Sequence, residues 1–203
     1  MLGNPIRDRR AERREATRAE ILEAAWDLLK AEGLAGLSLR DLANRVGMQA
    51  PSLYSYFESK HAIYDAMFAQ GAREFLEVQV RLALTGEPAT DLKAGMHSFV
   101  AFCTSNPARY QLLFQRTIPG FEPSAESFAI SVEGLAATRD RLAGMGFTDP
   151  AVLDLMTAIG TGLTDQQISN DPGGDRWIRL VDEAMDMFFN HVANRNKTKR
   201  TRK

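Results

Sequence analysis

Residues 37–68 read LSLRDLANRVGMQAPSLYSYFESKHAIYDAMF, and their punctuation divides them into two short helices, a tight turn and the start of a third helix. Ser38 and Asp41 have the S-x-x-D spacing of a capping box, which starts a helix at Leu39. Leu39, Leu42, Ala43 and Val46 recur at i, i+3, i+4 and i+7 and give that helix one apolar face. Gly47 stops it, because glycine enters the left-handed conformation of a helix C-terminus without steric cost. Ala50–Pro51 then restarts the helix, since proline is tolerated in a first turn whose N–H groups lack partners anyway. Leu53 and Phe57 are spaced i, i+4 and point inward, while Gln49, Ser52, Ser55 and Tyr56 lie on the other side with no carboxylate among them.

A helix, a glycine turn and a second helix with an acid-free outer face form the pattern of a helix-turn-helix DNA reader. The residues D-L-A-x-x-V-G-M-x-x-P-S-L-Y-x-Y-F-x-S-K-H, from Asp41 to His61, also resemble the DNA-binding domain of the TetR family of bacterial transcriptional regulators. Ala43, Gly47, Leu53-Tyr54, Tyr56-Phe57 and Ser59-Lys60 stand at that family's relative positions. The resemblance implies an all-α fold of about nine helices: a three-helix reader followed by a larger helical domain that binds an effector and dimerises. Arg40, Gln49, Ala50, Pro51, Ser52, Tyr54, Ser55, Tyr56 and Lys60 are the candidate DNA contacts. Of these, Gln49, Pro51, Ser52 and Ser55 are expected to face base edges, and Tyr54, Tyr56 and Lys60 to hold phosphates.

Outward from the reader, charge is unevenly distributed. Residues 1–60 hold ten Lys/Arg against nine Asp/Glu, residues 61–193 nine against seventeen, and residues 194–203 six basic residues and no acid. Nucleic-acid affinity therefore belongs to the ends, and an acidic middle argues against a protein that coats DNA. Residues 1–16, with Arg7, Arg9, Arg10, Arg13 and Arg14, read as a flexible arm that either touches phosphates or is simply a solvated terminus. Thr17 and Glu20 make a second capping box, opening a helix that Gly33 ends after Glu32. Residues 17–64 are then the DNA-binding domain, 65–194 the second domain, and 195–203 a disordered basic tail that serves either DNA affinity or solubility.

Ser59 caps a helix that continues to about Thr85 and links the two domains. Further helices are expected at about 90–105, 107–116, 124–145, 149–170 and 174–194, separated by proline and glycine breaks. Asn106-Pro107-Ala108-Arg109-Tyr110 with Leu113-Phe114 resembles a stretch of the family's second domains. In the family such helices surround a small-molecule pocket, which assigns Met96, Phe99, Phe102, Cys103, Tyr110, Phe114, Phe128 and Gln166 to effector binding, with His97, Gln111 and Gln115 as further polar anchors. For any single one of these residues ordinary core packing is the better account. The resemblance also implies a homodimer through the last helices, at Gly160, Gly162, Trp177, Val181, Met185, Phe188 and Phe189.

What is missing narrows the function. A single cysteine, Cys103, cannot make an internal disulfide and fits a reducing cytoplasm. No apolar run approaches the ~18 residues of a membrane span, and no signal-peptide core follows the N-terminal arginines. There is no phosphate-cradling glycine loop, metal-ligand spacing or nucleophile elbow, so neither an enzyme nor a resident cofactor or metal is expected. The sequence reads as a cytoplasmic regulator that binds a pseudo-palindromic double-stranded operator as a homodimer and is released by a small apolar effector. An activator, or a regulator whose second domain only dimerises or binds a protein, would carry the same features.

Overall fold

Arg, Ala and Glu dominate the chain from Arg9 onward, and these strong helix formers begin a helix well before its capping signal. The structure is a computed structural model describing residues 9–201, so Arg7 and the last two residues of the basic tail lie outside the described residues. Helix α1 covers Arg9–Glu32 as one uninterrupted element. The expected arm is thus helical over its second half, and Thr17 lies inside a helix rather than at its start. Trp26 is partly buried, and its indole N–H donates to Gln70 Oε1 at 3.1 Å.

After a 3-10 turn at Leu34–Gly36 come α2 (Leu39–Arg45) and α3 (Ala50–Leu53). The long α4 (Lys60–Val80) follows. It is one α-helix through Val78–Val80, but it stops at Val80 rather than near Thr85. The second half holds α5 (Pro88–Ser105), α6 (Pro107–Phe114), α7 (Ala125–Gly144), α8 (Pro150–Asn170) and α9 (Val181–Thr201). Nine α-helices and no strand occur among the described residues, as the all-α reading expected.

Three of these helices begin at proline, directly after an N-cap whose side chain accepts from the first turn: Glu87, Asn106 and Asp149. Helix α9 starts seven residues later than its sequence signal. The reason is Gln167, whose buried side-chain oxygen accepts from the N–H groups of Trp177 (2.9 Å) and Ile178 (3.3 Å) and so holds the loop outside a helix. At the other end α9 continues to Thr201, through the stretch read as a disordered tail.

Two main cores organise the helices. One gathers Ile21, Leu28, Leu42, Leu53, Phe57 and Ile63 beneath the helix-turn-helix, and it runs on through Met67, Phe68 and Ala72 to Ala108 and Leu112 of α6. No packing boundary therefore falls at residue 64. The other core joins Met96 and Val100 of α5 to Val181, Met185, Phe188 and Val192 of α9. Helix α4 lies along α7, and α5 packs on both α8 and α9. Arg109 locks α6 to α4: its Nη1 bonds Glu74 Oε2 at 2.8 Å while the guanidinium sits 3.7 Å from the Phe102 ring centroid.

Candidate nucleic-acid interface and effector cavity

The reader is assembled by caps. Ser38 Oγ accepts from Asp41 N at 3.3 Å to start α2, and Gly47, at φ +68°, makes the turn that lets Met48 N donate to Ala43 O at 2.8 Å. Helix α3 is a single turn. Beyond it, Tyr54, Ser55 and Tyr56 continue as tight turns, each N–H reaching back three residues, before Phe57 N returns to Leu53 O at 2.9 Å. Leu53 and Phe57 are buried against Leu42 and Ala43. That burial presents Arg40, Gln49, Pro51, Ser52, Tyr54 and Ser55 to solvent, with Tyr54 55% exposed. Ala50, Tyr56 and Lys60 are half-buried at the margin. All nine candidates thus come together around α2, α3 and the start of α4. Ser55 Oγ donates to Ser52 O at 2.7 Å, so its hydroxyl also braces the turn.

Two arginines hold this surface from behind. Arg14 donates to Ser55 O at 2.7 Å, and Arg18 donates to Tyr56 O while stacking 4.2 Å from the Phe57 ring centroid. Cations at these carbonyls complement the C-terminal end of α3, where helical carbonyls concentrate negative potential. Sequence reading placed Arg14 in a DNA-touching arm and passed over Arg18. The available signal was periodicity, because residues 14, 18, 21 and 25 continue the stripe of Ile21 and Ala25 backwards.

Ser59 Oγ accepts from Ala62 N at 3.0 Å, leaving the first-turn N–H groups of Lys60 and His61 without a helical partner, while the Lys60 ammonium lies 5.6 Å from the Tyr64 ring centroid, one turn on. A phosphate there would meet donors and charge but no base information. Lys60→Ala is therefore expected to weaken binding to all DNA sequences alike and to flatten the slope of log K against log salt by about one unit. Fluorescence anisotropy across a salt series measures this. An unchanged slope with altered sequence preference would refute the assignment.

A cavity of about 240 Å³ opens between α4, α5, α7 and α8. Of the sequence candidates, Met96, Phe99 and Phe114 line it, joined by Phe75, Gln79 and Arg141, which the sequence did not single out. Phe102, Cys103 and Tyr110 do not line it. They lie farther along α5 and on α6, in an adjoining cluster that shares Phe75, Phe99 and Leu113 with the cavity wall, because four helical residues advance the chain about 6 Å. Burial there pushes the Cys103 thiol well above its ordinary pKa, which makes it inert. Burial, and then the hydrogen bond to Asp165 Oδ1 at 2.8 Å, also raise the Tyr110 hydroxyl and keep it a donor.

The polar anchors are engaged elsewhere. Gln115 Nε2 donates to that same Asp165 oxygen at 2.7 Å, Gln166 is exposed and bonded to Asn170, and His97 is exposed 2.8 Å from Asp182. Gln111 also lies outside the lining. Phe128 is 51% exposed and outside the cavity lining, since the helical period sends it with Val132 toward the outside of α7. The signal that would have found Gln79 and Arg141 was three-dimensional: both stand on helices read only for their apolar faces.

The expected dimer residues divide. Val181, Met185 and Phe188 are core of a single chain, packed with Val192 against α5. Gly160 serves the same interior, since a Cβ there would meet Met96 Sδ at 2.9 Å. Trp177 and Phe189 are half-buried, Phe189 with its ring centroid 5.9 Å from that of Phe147, and Gly162 faces open space. The larger apolar stripe of α9 is used within the chain. The exposed side of α9 holds Met187, 63% exposed, and His191, and the exposed side of α8 holds Leu155, Ala158 and Gly162.

A capped helix-turn-helix with an acid-free outer face, joined by a continuous helix to an α-helical domain around an apolar cavity, defines a DNA-binding regulator. Residues 21–67 match the family described as bacterial regulatory proteins, tetR family. The HTH-type transcriptional regulator Rv1816 of Mycobacterium tuberculosis is 25% identical over 178 residues, spanning 84% of this chain and 76% of that protein. Across 47 residues, 23% of this chain and 22% of that protein, the tetracycline repressor protein class A from transposon 1721 of Escherichia coli is 47% identical. A TetR family transcription regulator from Marinobacter aquaeolei shares the fold, with a TM-score of 0.64 at 17% identity over 89% of this chain and 97% of that one. Residues 21–67 thus carry the DNA-binding unit of the tetR family of bacterial regulatory proteins, and over the rest of the chain the fold is similar to that of such regulators.

Proposed function

We propose that the protein is a dimeric repressor that leaves its operator when a small, largely apolar molecule fills the cavity. The observation that carries this reading is α4, which is one helix from Lys60 beside the reader to Gln79 in the cavity wall. At about 1.5 Å per residue the two ends are roughly 28 Å apart. Between them Asp65 grips the start of α7: Oδ1 accepts from Ser124 N at 2.6 Å, and Oδ2 accepts from the hydroxyls of Ser124 and Ser127, both at 2.9 Å. Helix α7 in turn supplies a wall of the cavity. A ligand that separates α4 from α7 would thus tilt the reader through connected, rigid elements.

In this reading residues 17–64 are the DNA-binding unit, with α1 extending it to Arg9, and residues 65–194 form the effector and dimer unit. Gln49, Pro51, Ser52 and Ser55 read bases, and Arg40, Tyr54, Tyr56 and Lys60 position the backbone, with Ala50 packed close against the groove. The dimer forms through the outer stripes of α8 and α9 centred on Leu155, Gly162 and Met187. Acting on chromosomal DNA places the protein in the cytoplasm; no helix among the described residues is long and apolar enough to cross a membrane.

Two-fold symmetry predicts a pseudo-palindromic site with reader centres roughly 34–36 Å apart. Selection from random DNA tests this, and an asymmetric site bound by one copy would count against the dimer. Release is tested by linkage. An effector that weakens operator binding must itself bind more weakly, by the same factor, when operator is present, and such coupling is typically about 5- to 150-fold. Equal effector affinities in calorimetric titrations with and without operator duplex would show that the ligand is not the regulator.

A further inference from the structure

We infer that the cavity takes a small monocarboxylate, its apolar body among the methionines and aromatic rings and its carboxylate between Arg141 and the Gln79 amide. This rests on the effector reading above and names the chemistry of that site. At about 240 Å³ the cavity is smaller than the ~300–1,000 Å³ of pockets for drug-sized ligands, which points to a short ligand. Met96, Met145 and Met156 contribute unbranched thioethers that adapt to an apolar chain without demanding one shape.

The polar atoms of the wall settle the head group. Asp91 is already compensated: Oδ1 accepts from Thr85 N (2.7 Å) and Thr85 Oγ1 (2.8 Å), and Oδ2 from Gly86 N (3.0 Å). Arg141 is different. Its Nη2 donates to the Gln79 backbone oxygen at 3.0 Å, and no carboxylate of the described residues pairs with it. A guanidinium carries five N–H donors, so most of its capacity is unused. Beside it the Gln79 side-chain oxygen is buried without a hydrogen-bond partner. Rotation of that amide by half a turn presents N–H₂ in its place, because the two ends are nearly isosteric.

One cation without an ion pair and one unsatisfied amide oxygen therefore face a mostly apolar space, whose remaining polar side chains are Asp91 and five serines and threonines. A hydrocarbon would leave both unpaired, and an amine would add a second positive charge. A carboxylate accepts from both, and planar guanidinium–carboxylate pairing is among the strongest polar contacts available. Gln79 belongs to α4 and Arg141 to α7, so the head group would bridge the two helices that Asp65 already joins.

The test titrates the full chain by calorimetry with octanoate, octanol and octylamine, which share one hydrocarbon tail. Octanoate is expected to bind at least about tenfold more tightly than octanol, with octylamine weakest. Arg141→Met should lower octanoate affinity about tenfold or more while changing octanol little. Gly134→Leu supplies a second, independent probe of location. Gly134 lines the cavity, and a Cβ there meets only Gln79 Oε1 at 3.5 Å and Leu76 Cδ1 at 3.8 Å, so the larger side chain enters the cavity without striking backbone. It should abolish octanoate binding while thermal unfolding stays cooperative.

No octanoate binding, equal affinity for octanol, or an Arg141→Met variant with unchanged octanoate affinity would each overturn the inference. Operator affinity is measured separately. Arg141-dependent octanoate binding that leaves operator affinity unchanged upholds the ligand class and refutes release. Release by octanol but not by octanoate refutes the ligand class and upholds release.

Discussion

Phe188→Asp is expected to unfold the second domain rather than merely to separate two subunits. Phe188 is 2% exposed within one chain, in the core that joins α5 to α9. Removing the ring alone costs about 3–5 kcal/mol, and a buried unpaired carboxylate adds to that. The expected result is a protein that melts early or is recovered only as aggregate. Met187→Asp, one residue earlier, supplies the contrast. Its side chain is 63% exposed on the outer stripe, so the fold and the melting profile of the isolated chain should survive while the proposed dimer dissociates. Sedimentation velocity and circular dichroism on the two variants measure both effects. A folded Phe188→Asp monomer would return that residue to the subunit interface.

The second large effect is expected at Tyr64. Its ring is 2% exposed, its hydroxyl donates to Leu34 O at 2.9 Å, and its centroid lies 5.7 Å from that of Phe121. One side chain therefore joins α4, the turn after α1 and the segment before α7. Tyr64→Ala should cost about 3–5 kcal/mol. For a chain of this size each kcal/mol lowers Tm by roughly 2–4 °C. Tyr64→Phe keeps the ring and loses only the hydrogen bond, so about 1 kcal/mol is expected. Operator binding should fall with the first variant and persist with the second. Equal stability losses in both would mean that the hydroxyl, not the ring, holds the reader to its helix.

The reader was legible because its signals are local. Ser38, Gly47, Pro51 and Ser59 act through their own backbone or through residues three positions away, so spacing alone locates the turns they make. Phe57 and Leu53 could be placed inward by period. The same methods failed where a decision depended on distant neighbours. The capping box at Thr17 does not itself say whether the helix has already begun; only the stripe through residues 14, 18, 21 and 25 does, and its first two members are arginines that are equally at home in a solvated arm. The stripe of Val181, Met185, Phe188 and Val192 shows that α9 is covered on that side, but whether α5 or a second copy covers it is not written in α9. Likewise an aromatic residue looks the same in sequence whether it lines a cavity, as Phe99 does, or fills a core beside it, as Phe102 does.

The single turn of α3 limits how much text each copy can distinguish. A base pair offers four identities in the major groove, so if the side chains proposed to face the bases (Gln49, Pro51, Ser52 and Ser55) distinguish about three positions, they narrow the choice by roughly 64-fold. A genome presents on the order of a million competing positions or more. A lone reader would thus find countless acceptable words, whereas two readers multiply their selectivities and add a fixed gap between them. In the proposed dimer the address of the target would be encoded as much in the separation between the two readers as in the letters each touches, and anything that altered that separation would erase the address without altering a letter.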